Sequence, residues 1–204
     1  RFTVDGSISS LAPLMMQADI AYQADASILG HFYESTPESS GAIEGSAQLT
    51  VSNGDWNVRA GYSSENLTWS QVGPMSVDGR VEASRDRVHV STLTVRGYEG
   101  VVTGEASVGL TEAGRQQISL RLEGVHLGAL TEDLGTPSPP LASRVTGQLD
   151  LQLDDWSVHS ATGNGKLELQ AVEDGTGIPL EGHMTYQLST GDFQLGVEAS
   201  SPSP

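Results

Sequence analysis

Through most of the chain, apolar or small residues occupy every second position, and a glycine opens each run. Gly45, Ala47, Leu49 and Val51 share one phase, as do Gly79, Val81 and Ala83, and Gly104, Ala106, Val108 and Leu110. The pattern returns in Gly147, Leu149, Leu151 and Leu153, in Gly165, Leu167, Leu169 and Ala171, and in Gly182, Met184, Tyr186 and Leu188. Side chains on a strand alternate between the two faces, so a period of two predicts a sheet with one apolar and one wet face. In this phase Leu149, Leu151 and Leu153 point one way together, and Gln148, Asp150 and Gln152 face water.

Turn chemistry divides these runs into hairpins. Asn53-Gly54 separates Leu49 and Val51 from Trp56, Val58, Ala60 and Tyr62, and Asn-Gly supplies the positive φ values that a two-residue hairpin turn requires. Further turns are expected at 84–86, 112–115 and 189–192. Between Ile118 and Gly135 the period changes: Ile118, Leu120 and Leu122 alternate, whereas Leu127, Leu130 and Leu134 recur at three and four. This reads as a strand running into one or two helical turns, with Gly135 as the stop.

Residues 1–40 are the least regular, and Ser9-Ser10 followed by Leu11, Leu14 and Met15 suggest a short helix with Pro13 in its first turn. Residues 35–41 read as a loop, 41–199 as the repeated β segment with a possible internal boundary at the Pro-rich 136–140, and 200–204 as a linker or tail. The expected class is therefore all-β with one or two short helices.

Composition narrows the function. Ten Lys and Arg against 26 Asp and Glu give a net charge of −16, which opposes nucleic acid and anionic membrane surfaces, since both need positive charge at the contact. There is no cysteine, hence neither disulfide nor thiol chemistry. No run approaches the roughly 18 apolar residues of a membrane helix. The start, Arg1-Phe2-Thr3, is neither a signal peptide nor an initiator Met, which suggests a segment of a longer protein.

Catalytic patterns are not found. His31, His89, His126, His159 and His183 are dispersed. Gly163, Asn164, Gly165 and Lys166 lack P-loop spacing and read as a turn, and Gly97, Gly100 and Gly104 miss the dinucleotide fingerprint and read as a strand connection. Asp150, Asp154 and Asp155 could offer oxygen ligands to calcium but fit a solvated strand face and strand end. Asn66, Leu67 and Thr68 form a formal glycosylation sequon, and Trp56, Trp69 and Trp156 with Tyr62 and Tyr98 are too scattered for a sugar platform. Neither enzyme activity nor a cofactor is implied.

What remains is the apolar phase itself. Its candidate lining residues are Leu49, Val51, Val88, Val90, Val108, Leu110, Ile118, Leu120, Leu122, Leu149, Leu151, Leu153, Leu167, Leu169, Met184, Tyr186 and Leu188, with Val81, Leu93 and Val95 in the same phase. In a closed sandwich such a face is buried; a curved aliphatic sheet could instead hold acyl chains, which gain roughly 0.8 kcal/mol per methylene on leaving water.

The succession 65–69, 72–81, 87–95, 100–110 and 118–130, taken with the glycine-led runs, resembles the repeats of AsmA-like proteins, most closely the TamB-type branch. The likeness extends over roughly 41–197 and is one of pattern. It implies a curved, open, taco-like β-groove in a periplasmic protein anchored in the inner membrane of a Gram-negative-type envelope. It further implies phospholipid acyl chains as cargo between the two membranes and an outer-membrane β-barrel partner. Two other readings stand beside a lipid conduit: a scaffold that adds strands to outer-membrane proteins by β-augmentation, and a closed β-sandwich of a surface or adhesion protein.

Overall fold

The computed structural model describes residues 1–31, 38–110, 115–135, 141–153, 161–172, 177–189 and 192–201. They form one antiparallel sheet: β1 (Phe2–Leu11), β2 (Leu14–Asp25), β3 (Ser39–Ser40), β4 (Ala42–Ser52), β5 (Asp55–Trp69), β6 (Val72–Ser84), β7 (Arg87–Gly97), β8 (Gly100–Gly109), β9 (Gln116–His126), β10 (Ser143–Leu153), β11 (Thr162–Ala171), β12 (Glu181–Ser189) and β13 (Asp192–Ser200). Apart from β3, which pairs with β5, each strand pairs with its neighbours in sequence, from β1 at one edge to β13 at the other. The edges do not meet, so the sheet is open and curved, not a closed barrel. The accessible surface is 13177 Å², against ~9,000 Å² for a compact chain of this mass.

Antiparallel order sorts the connections onto two rims. On one rim the described turns are tight: 12–13, 53–54 and 85–86. Asn53 and Gly54 carry φ of 54° and 87°, as their dipeptide predicts. The other rim carries every described connection with structure beyond a turn. These are the 3-10 helix Ala26–His31 after β2, α1 (Leu127–Asp133) between β9 and β10, and the stretch before β12, where Leu141 bridges Ile178. His126 caps α1, its Nδ1 accepting from the Ala129 amide at 3.4 Å, and Gly135 follows at φ 64°. The main core lies beneath this rim: Val125, Val145 and Leu169 are 2–4% exposed, with Leu127, Leu130 and Leu180 packed against them. Over the rest of the apolar face the strand residues are mostly half-buried.

Tyr98 locks α1 to the sheet. Its hydroxyl donates to Asp133 Oδ2 at 2.5 Å and accepts from the Gly73 amide at 2.7 Å. Burial, and next the bond to Asp133, push the Tyr98 phenol from 10.0 up to about 12. The folded chain thus holds this proton more tightly than the unfolded one. The stabilisation is complete below pH 10 and is lost as pH rises towards 12. Melting temperature followed across that interval is expected to fall in the wild type and to fall less steeply in Tyr98→Phe.

Two expectations from sequence are corrected. Ser9 to Met15 form no helix: Phe2–Leu11 and Leu14–Asp25 are paired strands, and the short helix of this region starts at Ala26 instead. Leu11 and Leu14 flank a two-residue turn, and that places them at helical spacing. Gly163 to Lys166 are no turn either, but lie inside β11. The expected loop at 35–37, most of the 112–115 turn, the 136–140 boundary, Asp154, Asp155, Trp156, His159, the centre of the 189–192 turn and the tail beyond 201 fall outside the described residues.

Candidate functional site

Cross-strand partners share a face, so the registers show which positions line up across the sheet. One row runs Phe2, Tyr22, Gly45, Tyr62, Gly79, Leu93, Gly104, Leu120, Leu149, Gly165, Tyr186 and Leu195, one residue from each main strand. The adjacent row runs Val4, Ile20, Ala47, Ala60, Val81, Val90, Ala106, Ile118, Leu151, Gly163, Leu188 and Phe193. Neither contains a charged residue. Eleven inter-strand steps at about 4.8 Å give strips about 50 Å long, perpendicular to the strands.

The repeated glycines sit in mid-sheet, not in turns, and give room to the neighbouring side chain on the same face. A Cβ on Gly79 would lie 2.4 Å from Tyr62 Oη, one on Gly165 2.1 Å from the Tyr186 ring, and one on Gly104 2.6 Å from Leu120. Rings therefore lie down over glycine. Two of the phenols keep partners, Tyr22 donating to Gly61 O at 3.1 Å and Tyr186 to Asp150 O at 3.2 Å, so these two tyrosines add apolar area without an unpaired hydroxyl.

Bulges hold the phase where the sequence breaks it. Arg80 opposes Thr92 while Val81 opposes Val90, leaving Ser91 as the extra residue of β7, so that Val88 and Val90 share a face with Leu93 and Val95 despite the three-residue step. A second bulge at Gly124 (φ 65°) brings Val125 onto the same face as Leu122.

Most of the expected lining residues are strand residues on this half-buried face. Leu149, Leu151 and Leu153 are half-buried while Gln148, Asp150 and Gln152 are exposed. Leu169 differs, being 3% exposed within the rim core, and Leu110 lies just beyond β8, 48% exposed. Sequence reasoning missed the first hairpin, whose Phe2, Val4 and Ile8 extend the apolar face at 59–65% exposure. Among the described residues, two polar side chains without a partner also lie on the apolar face. Ser64, opposite Val77, and Gln116, between Val108 and Leu153, are each 5% exposed, and Ser64 Oγ and Gln116 Nε2 have no hydrogen-bond partner.

The wet face carries rows such as Asp5, Asp19, Gln48, Arg59, Glu82 and His89. A recess of about 750 Å³ opens there between β1 and β7, lined by Asp5, Asp19, Arg59, Arg80 and Glu82 among others. Its Arg59–Glu82 pair, at 3.2 Å, has both side chains about half or more exposed, so solvent screens it. His183 pairs with Glu198 at 3.2 Å on the same exposed side of the sheet. Among the described residues no group of three or more His, Asp or Glu could hold a metal, and no helix is long and apolar enough to cross a membrane. Trp56 and Trp69, 37% and 36% exposed, stand apart at opposite ends of β5.

Comparison with family models, with curated proteins and with solved structures finds no match for the chain.

Proposed function

We propose that the apolar face is a trough for lipid acyl chains, and that the chain is a section of a periplasmic, bridge-like protein conducting phospholipids between inner and outer membranes. The observation that carries this reading is the pair of uncharged rows crossing every main strand of an open sheet, left largely uncovered by the other described elements away from the α1 rim. One leaflet's hydrocarbon is about 15 Å deep, so a strip of about 50 Å accommodates acyl chains end to end. Headgroups remain at the rim of tight turns, in water. The work is done by continuous apolar contact, and no bond is made or broken. The resemblance to AsmA-like repeats agrees with this reading and supplies the envelope setting, the inner-membrane anchor and the barrel partner of the full-length protein.

A photo-crosslinking residue at Leu120 or Leu151 is expected to capture phospholipid in a Gram-negative envelope, while one at Leu169, enclosed beneath the rim, is expected to stay silent. Capture of protein alone from Leu120 and Leu151, or of nothing, overturns the proposal. One specific observation bears on β-augmentation as a second reading: among the described residues β1 pairs only with β2, and its other edge is where a further strand would add. That reading expects protein crosslinks concentrated along β1. A closed sandwich would need a second sheet over the apolar face, and the described residues form one sheet.

A further inference from the structure

The turn between β7 and β8 holds residues unsuited to its backbone. Tyr98 and Glu99 both stand in the left-handed region, at φ 52° and 60°, where a Cβ crowds the backbone and asparagine or glycine is preferred. Among the described residues the others at positive φ, glycine apart, are the small Asn53 and Ser70. Strain of this kind persists where the side chains are required.

Both side chains reach beyond their own hairpin. Tyr98 Oη accepts from the Gly73 amide at the start of β6, at 2.7 Å, and donates to Asp133 at the end of α1, at 2.5 Å. The helix leaves the sheet from β9, and a Cβ on Gly135 just past its end would lie 3.6 Å from Gln71 Oε1, ahead of β6. It therefore crosses the rim over β8 and β7. Glu99 is tied the other way, to the Arg144 guanidinium on β10, and Arg144 also donates to Gly124 O on β9 at 3.2 Å. One turn thus grips β6 on one side and β10 on the other, across four inter-strand steps, about 19 Å of sheet. Ladder hydrogen bonds join only adjacent strands, whose mutual rotation ranges over roughly 10–35°.

We infer that the Tyr98–Glu99 turn is a clasp that fixes the curvature of the sheet from β6 to β10, its strained backbone serving to set two tying side chains next to each other. The inference concerns the shape of the sheet and does not rest on the lipid reading. With the clasp undone the strands keep their ladders, and this section loses its fixed bend.

The chain has no cysteine, so Arg80→Cys on β6 and Lys166→Cys on β11, both at exposed positions, carry nitroxide labels at two defined sites. Double electron–electron resonance then reads the distance across five strand steps, about 24 Å along the sheet. A single narrow distribution is expected. Tyr98→Phe and Glu99→Gln together are expected to broaden it and to shift its mean by one strand spacing, ~5 Å, with an unchanged circular dichroism spectrum, and each alone shifts it less. Arg96→Gln breaks an ion pair with Asp78 between adjacent strands only and is expected to leave the distribution as it was. An unchanged distribution in the folded double variant overturns the inference, and so does an equal shift from Arg96→Gln. If the double variant does not fold, Glu99→Gln alone decides, because the Glu99 side chain is 65% exposed and its replacement leaves the core intact; no shift there overturns the inference as well.

Discussion

Leu151→Asp is expected to leave the chain folded and to reduce lipid capture by roughly a hundredfold. Leu151 is half-buried in the row between Ile118 and Gly163, on a part of the face that no other described element covers. A carboxylate there remains hydrated in the empty protein, so the stability loss is limited to lost apolar contact, about 1–2 kcal/mol. Under an acyl chain the same carboxylate is stripped of water, and an Asp amid hydrocarbon costs about 3 kcal/mol, or about two decades in affinity. The control is Leu169→Asp, which at 3% exposure places an unpaired charge in the rim core and is expected to unfold the chain. Urea titration with retained-lipid measurement separates the two outcomes. If Leu151→Asp unfolds as Leu169→Asp does, the face is a closed core and the trough is wrong.

A single added methyl group is also expected to cost much of the stability. In Gly147→Ala the new Cβ would lie 2.1 Å from the Lys166 carbonyl oxygen and 2.8 Å from Leu167 Cα. Both are backbone atoms of the paired strand β11, so no rotamer change relieves the contact and the ladder itself must part. A loss of about 3 kcal/mol is expected. Gly54→Ala provides the comparison: nothing lies within 4 Å of its Cβ, and only the φ of 87° opposes a side chain, so about 1 kcal/mol is expected. Urea midpoints of the two variants test the ranking. Equal losses would mean that the glycines of the repeated run serve backbone conformation and not close approach.

The contrast shows what a period of two conveys and where it stops. Local chemistry marked the hairpin at Asn53 and Gly54, the change of period into α1 and the stop at Gly135, because each depends on residues adjacent in the chain. In the first hairpin the apolar phase is diluted by Gly6, Ala18 and Ala24, and the spacing of Leu11 and Leu14 across the turn imitates a helix. Gly163 and Gly165 read as turn residues because their reason for being glycine is Leu151 on β10 for one and Tyr186 on β12 for the other. For the candidate site, the phase of the lining residues was legible, but their alignment into rows was not. Alignment depends on register and on the bulges at Ser91 and Gly124, and both are set between strands. Gln116 reads only as a polar residue two places before Ile118, and its place on the apolar face follows once Val108 and Leu153 flank it.

The ladder in which nearly every strand pairs with its sequence neighbours makes length an independent variable of this architecture. Each hairpin adds two strand spacings, about 10 Å, along the direction of the rows and leaves the cross-section unchanged. Stability then grows as a sum over neighbouring hairpins, as in other one-dimensional repeat folds. Removing β12 and β13 together is a shortening rather than a breach, whereas removing one of them reverses the chain direction at the new edge. Span is counted in hairpins, and an even number of strands keeps both ends of the chain on the same rim.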